Sequence, residues 1–351
     1  MRSQDLNLAD MPVRTESELE ELLSRPDEKT ADAMAALDGD LLILGVGGKM
    51  GPSLARLARR ACEVSGVQKR IIAVARFTNS KLPAELAKDR IETIACDLLD
   101  REALARLPDV PNVIFMAARK FGTSGEAHMT WAMNTYLPGL VADRYRDSQV
   151  VAFSTGNVYP LRPVSQGGAT EVTPVDPIGE YAQSALGRER MFEYGSARWG
   201  TRCVLLRLNY AVELRYGVLV DIGLAVFEQR PISLAMPSVN VIWQGDANSW
   251  CLRSFAHCQS PPLILNITGT ERLSVRELAF EFGRHFGVEP AFASATEGTS
   301  ALLNDAGKAR ALFGEPKVRI GELIGWIADW IRNGGVLLNK PTHFQTRDGK
   351  F

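Results

Sequence analysis

The stretch LLILGVGGKMG (41–51) sets Gly45, Gly48 and Gly51 three residues apart, with Gly47 between them. Glycines at that spacing, between an apolar run and an amphipathic helix, suit one task. The chain must turn sharply out of a strand, bring its backbone close to a pyrophosphate, and present the unpaired N–H groups of a helix start to the anion. Leu54, Leu57, Ala58, Ala61 and Val64 then recur at helical spacing, and Pro52 stands where a first turn tolerates proline. The loop reads as a dinucleotide-phosphate site. Lys49 and Met50 lie inside it, with Lys49 either near the phosphates or simply solvated.

Cofactor choice is read at the end of the second strand. An acid there bonds the ribose hydroxyls of NAD, whereas an arginine suits the 2′-phosphate of NADP. Ala75 is followed by Arg76, which favours NADP over NAD; an ordinary surface arginine is the other reading. Asp97 and Leu98, after the third strand, are placed to touch the adenine, and Ala117, closing the fourth apolar run, completes the cofactor set.

These residues need a scaffold. The apolar runs 41–44, 71–75, 92–96, 112–117, 149–154 and 203–208 are short, and helical patterns separate most of them. Fully apolar strands alternating with helices predict an α/β fold, a doubly wound parallel sheet of Rossmann type covered on both faces. The run 262–268 returns to that sheet. The expected organisation is a helical extension at 1–38, a dinucleotide-binding domain at 39–211 plus about 239–270, and a smaller mixed substrate lobe at about 212–238 plus 271–351. In the extension, Thr15 followed by Glu18 reads as a capping box that opens a helix. A packing or dimer-contact role is expected for that segment.

Composition narrows the function. The chain has 351 residues, 40 Lys plus Arg and 41 Asp plus Glu, for a formal net charge of −1. That balance gives no sign of a nucleic-acid partner. The five cysteines are scattered without a CxxC, and the four histidines lack metal-ligand spacing. No metal is expected, and free thiols point to a reducing, cytoplasmic compartment. The acidic N-terminus does not read as a signal peptide, and no apolar run is long enough to span a membrane.

With the glycine loop in place, other segments resemble an extended short-chain dehydrogenase/reductase, the NAD-dependent epimerase/dehydratase group, over about 40–340. FSTGNVYP (153–160) resembles the family's Ser-Ser/Thr-x-x-Val-Tyr-Gly segment and puts Thr155 at the catalytic Ser/Thr position. PIGEYAQSALGRE (177–189) resembles its tyrosine helix and puts Tyr181 at the catalytic tyrosine. WAMNTYLPG (131–139) resembles the helix with a buried asparagine, Asn134, and LNITGTERLSVRELA (265–279) the stretch before the C-terminal lobe. The resemblance implies hydride transfer between nicotinamide and a secondary alcohol, with Tyr181 moving the proton and Thr155 orienting the oxygen. It also implies a homodimer through the helices around 128–146 and 178–197.

Two departures matter. The family's Tyr-x-x-x-Lys becomes Tyr181-x-x-x-Ala185, and alanine can neither hold a ribose nor supply positive charge to the tyrosine. Arg119 and Lys120, after the fourth strand, are the replacement candidates, with Lys120 given the catalytic role; Arg188 lies on the same helix face as Tyr181 but two turns away. Second, the family's arginine that clamps a sugar diphosphate has no match in MPSVNVIWQGDAN (236–248), where Val239 or Asn240 stands, and Gly156-Asn157 replaces the dehydratase acid–base pair. Arg119, Lys120, Asn157 and Asn209 are the expected substrate contacts. Trp243 and Gln244 either border the pocket or belong to the core.

The expected function is an NAD(P)-dependent oxidoreductase acting on a carbohydrate-like small molecule that is not a nucleotide sugar. The alternatives are a sugar epimerase with tightly bound NAD and a non-catalytic dinucleotide-binding protein.

Overall fold

A computed structural model describes residues 13–120, 125–340 and 342–350. Its centre is a sheet of seven strands: β1 (Leu41–Leu44), β2 (Ile71–Ala75), β3 (Glu92–Ala95), β4 (Asn112–Phe115), β5 (Gln149–Thr155), β6 (Cys203–Leu208) and β7 (Leu263–Ile267). They lie in the order β7-β6-β5-β4-β1-β2-β3, and every pair is parallel. The run expected to rejoin the sheet does so as β7, beside β6.

The strands are mainly apolar because both sheet faces are covered, with buried polar exceptions that include Ser154, Arg207 and Asn266. Along β1, Leu41 and Ile43 face one cluster that holds Leu54, Leu57, Ala58 and Ala61 of the helix Gly51–Ser65 and Trp250 and Cys251 of the helix Gln244–Arg253. Leu42 and Leu44 face the other, with Leu137, Val141 and Phe192. Successive strand residues point to opposite faces, so two buried faces favour near-continuous apolar runs. The edge strand β3 carries exposed residues at both ends.

Strand order reverses between β1 and β4, and the crevice outside their carboxyl ends is where such sheets bind ligands. Gly45 follows β1 with φ +94°, and a Cβ there would lie 2.5 Å from the Ala117 nitrogen, at the end of β4. A Cβ at Gly51 would lie 2.1 Å from the Val46 carbonyl oxygen. These two glycines let the loop fold back on itself.

The second lobe has its own core, built on the helices Val218–Phe227, Val275–Phe286 and Ile320–Arg332. The helix Glu16–Leu23 begins with the capping box of Thr15 and Glu18. Its Leu19, Leu22 and Leu23 join the second-lobe core, whereas Met34 of the next helix, Glu28–Ala36, joins the sheet cluster. Glu20 bonds both Arg56 of the glycine-loop helix, at 2.9 Å, and Arg215 of the second lobe, at 2.7 Å. Residues 1–12 of the expected arm lie outside the described residues; its helices Glu16–Leu23 and Glu28–Ala36 form a clasp packed across both lobes. Trp243 is a core residue that meets Trp326 edge to face.

Inside the first lobe, Glu189 and Arg207 form a buried ion pair at 2.6 Å. Glu189 also accepts from Ser154 Oγ at 2.5 Å, while Arg207 donates to the Tyr159 hydroxyl at 2.7 Å, which in turn donates to Asn266 Oδ1 at 2.9 Å. Breaking a buried pair from one side strands the other charge. Glu189→Ala should therefore cost about 3–5 kcal/mol of stability in urea denaturation. A loss below about 1 kcal/mol, the value of an exposed pair, would mean that water reaches Arg207.

Candidate active site

The residues that could do chemistry converge at the carboxyl edge of the sheet. The helix Gly51–Ser65 begins at Met50 without any side-chain cap, and Gly66 ends it in the left-handed region. Pro52 has no N–H and the Gly51 amide donates to the Gly48 carbonyl at 3.3 Å, so the Ser53 amide is the first-turn donor that this uncapped start leaves for an anion. Gly47 lies against Ala75, so the exposed Arg76, just past β2, stands at the lip of this loop. Asp97 is exposed and accepts from the Leu99 amide at 3.1 Å, with Leu98 buried beneath. These features fit a dinucleotide.

Beyond the loop lies a cavity of about 180 Å³ between the lobes, lined by Lys49, Met50, Lys120, Thr155, Asn157, Tyr181, Asn209 and Tyr216, among others. Thr155 and Tyr181 are both buried. They come from different elements, the end of β5 and the first turn of the helix Gly179–Trp199. Thr155 Oγ1 accepts from the Asn157 amide at 3.2 Å and from Asn157 Nδ2 at 3.0 Å. Both bonds use the oxygen as acceptor, so the hydroxyl proton can donate into the cavity.

Lys49 does not point to solvent. Its Nζ donates to the Ala211 carbonyl at 2.8 Å and sits 4.4 Å from the centre of the Tyr216 ring. Burial pulls its ammonium down from 10.5 to about 8, against the attraction of Glu213, and Arg215 and Lys120 push the same way as burial. Lys120 sits with its Nζ 5.9 Å from the centre of the Tyr181 ring, and burial lowers it to about 8 against the pull of Asp221. The stems of both lysines are partly exposed while their ammonium groups sit deep. Near neutral pH the cavity therefore holds two cations beside a tyrosine and a threonine.

The other candidates are distributed differently. Arg119 pairs with Glu126 rather than lining the cavity, and Asn134 accepts from its amide and donates to its carbonyl. Asn134 stands in a π-helical turn, Ala132–Tyr136, an irregularity common at functional sites. Of the loop 118–128, residues 121–124 lie outside the described residues. Asn209 lines the cavity and donates to Asn240 Oδ1 at 3.0 Å. Ala185 is fully buried among Val158, Tyr159 and Ala169. Arg188 is also buried; it donates to the Phe153 carbonyl at 2.7 Å and to Asn134 Oδ1 at 3.1 Å, behind the site. Sequence reading missed Tyr216, Asp221 and Thr342, which carry no motif. Among the described residues, no group of three or more His, Cys, Asp or Glu could hold a metal ion, and no helix is long and apolar enough to cross a membrane.

Residues 41–212 match the model of the NAD dependent epimerase/dehydratase family. This segment belongs to that family. No curated protein sequence matches the chain. Solved structures share the fold at low identity. UDP-glucuronic acid 4-epimerase from Bacillus cereus, crystallised with NAD and a fluorinated UDP-sugar, is 15% identical with a TM-score of 0.69, over 84% of this chain and 99% of that one. Pal from Bacillus thuringiensis is 18% identical with a TM-score of 0.68, at the same coverage of both chains. UDP-glucose 4-epimerase from Thermotoga maritima, with UDP-glucose, is 17% identical with a TM-score of 0.68, again at that coverage.

The buried lysines have a measurable signature. Between about pH 8 and pH 10.5 the unfolded chain holds a proton that folded Lys49 has released, so stability from this group rises with pH across that window. Lys49→Met removes a buried charge and should stabilise the dinucleotide-free protein at pH 7 by roughly 1–3 kcal/mol, allowing for solvent screening of the stem. The gain should fade by about pH 10.5. Denaturation of both proteins across that range checks it; a pH-independent difference would place the ammonium in water.

Proposed function

We propose that this protein is an NAD(P)-dependent oxidoreductase that transfers hydride at a secondary alcohol or ketone of a carbohydrate-like, anionic substrate. One observation carries the reading: Tyr181, Thr155, Lys49 and Lys120 converge on a single cavity beside the glycine loop. A nicotinamide dinucleotide, bound on Gly45, Gly48, Lys49, Met50 and Gly51 with Ala117 behind, supplies a two-electron hydride donor or acceptor. Asp97 and Leu98 border the adenine, and Arg76 faces a 2′-phosphate, so NADP is preferred to NAD. The NAD in the structural neighbours supports the dinucleotide class and is silent on that preference.

The remaining steps belong to the chain. Thr155, whose oxygen accepts from Asn157, donates a hydrogen bond to the reacting oxygen and fixes its orientation. Tyr181 moves the proton at that oxygen. Lys120, beside the Tyr181 ring, supplies the positive potential that Ala185 cannot, and with Lys49 attracts a carboxylate or phosphate. Asn157 and Asn209 meet substrate hydroxyls. Arg119, tied to Glu126, positions the loop that carries Lys120.

The substrate is not a nucleotide sugar. Val239 lies in the second-lobe core and the Asn240 carboxamide is occupied by Asn209 and the Asn304 carbonyl, so neither supplies a cation for a diphosphate. A second reading, epimerisation on retained NAD, is favoured by the epimerases among the fold neighbours. The buried and unpaired state of all five cysteines supports a cytoplasmic protein. The packed helices around Asn134 and Tyr181, with Tyr136 and Tyr194 exposed, support a homodimer.

Tyr181→Phe should reduce turnover at least 100-fold with dinucleotide affinity changed less than about threefold; unchanged turnover removes the assignment. Arg76→Ala should weaken NADPH at least about tenfold and leave NADH alone, as a lost charge-assisted contact requires. Dinucleotide released on denaturing the purified protein separates the readings. Stoichiometric NAD favours the epimerase cycle, and an empty site that binds NADPH favours net redox chemistry.

A further inference from the structure

The segment 342–350 has no motif, yet it borders the cavity through Thr342 and ties the lobes together beside it. Thr342 is buried, lines the cavity, and donates from its amide and hydroxyl to Asp221 Oδ2 at 2.9 and 2.6 Å. Phe344 is buried in the second-lobe core. Arg347 donates to the Ala235 and Ser300 carbonyls, each at 2.9 Å, and to Ser300 Oγ at 2.6 Å. The segment then reaches the first lobe, just ahead of the helix that carries Tyr181. Gly349 and Gly179 meet there, with φ of +72° and +82°; a Cβ on Gly349 would lie 2.2 Å from the Ile178 carbonyl oxygen, and one on Gly179 2.5 Å from the Gly349 carbonyl oxygen. Both positions require glycine.

We infer that this strap sets the size of the substrate, admitting a free polyhydroxy acid of monosaccharide dimensions and excluding its nucleotide-linked form. The cavity of about 180 Å³ that Thr342 of the strap borders is smaller than the roughly 300–1,000 Å³ of sites that take larger organic ligands. On the strap's other side, toward Asn157, Tyr159, Tyr210 and Met236, only about 30 Å³ is open. A nucleoside diphosphate attached to a sugar beside Tyr181 has to leave the cavity, and in this inference the strap, anchored in both lobes and bordering the cavity at Thr342, is what obstructs it. What remains inside suits one anionic group at the lysines and hydroxyls at Thr155, Asn157 and Asn209. This inference rests on the functional reading above for the identity of the reacting centre, but the exclusion itself is a statement about binding.

The test is calorimetric titration of the NADPH-loaded protein with free D-glucuronate, UDP and UDP-glucuronate. Two strap variants are compared with the intact chain: one ending at Lys340, and the full-length double variant Arg347→Ala/Gly349→Leu, which keeps Phe344 in the core if the shorter chain fails to fold. The intact chain should bind UDP and UDP-glucuronate at least tenfold more weakly than the strap variants, and the variants should lose affinity for free glucuronate. NADPH affinity, measured separately, should stay within threefold. Absence of any gain in UDP or UDP-glucuronate affinity in a folded strap variant overturns the inference. Failure of the functional reading is a different result, namely no dinucleotide binding or full turnover in Tyr181→Phe, and UDP titration of the unloaded protein still reads the strap.

Discussion

The buried pair of Glu189 and Arg207 is the constraint on which the site depends. Two charges removed from water repay their desolvation only when geometry is good and the remaining polar atoms are satisfied. Here Ser154, Tyr159 and Asn266 complete the network, so the pair is worth more than two isolated charges. Its partners lie on β5, β6, β7 and the helix Gly179–Trp199. Ser154 immediately precedes Thr155, and Glu189 lies two turns along the helix from Tyr181. The pair therefore fixes the spacing of Thr155 and Tyr181, the two residues proposed to act on one oxygen.

Against that fixed frame, positive charge reaches the cavity by an unusual route. The helix that bears Tyr181 offers alanine one turn on, enclosed by apolar neighbours. Lys49 comes instead from the glycine loop and Lys120 from the loop after β4. Each ammonium is costly to bury, which is why both are pulled toward neutrality. An anionic ligand would repay that cost. Lys49 also bonds the backbone at Ala211, so the loop read as the phosphate cradle touches the segment that leads into the second lobe.

Much of the scaffold was legible along the chain. A strand with two covered faces is mostly apolar, and the runs at 41–44, 71–75 and 203–208 coincide with observed strands, Arg207 being the buried exception. The glycine loop was legible because backbone crowding at Gly45 and Gly51 admits no side chain. Thr155 and Tyr181 were legible through motifs whose spacing is local. Long side chains were harder to place. Arg119 and Lys120 are neighbours, yet one turns to Glu126 and the other into the cavity, and nothing in their order distinguishes them.

By itself, then, the sequence determined the sheet, its covering helices and the glycine turn, because each follows from periodicity or steric exclusion within a few positions, while Thr155 and Tyr181 were singled out by resemblance to family motifs. Only the tertiary structure decided where Lys49 and Lys120 point, and that Tyr216 and Thr342 border the same space. Those outcomes depend on contacts between distant segments, such as Asp221 with Thr342 and Gly179 with Gly349. No local preference encodes them; they exist only once two independently packed cores bring their edges together.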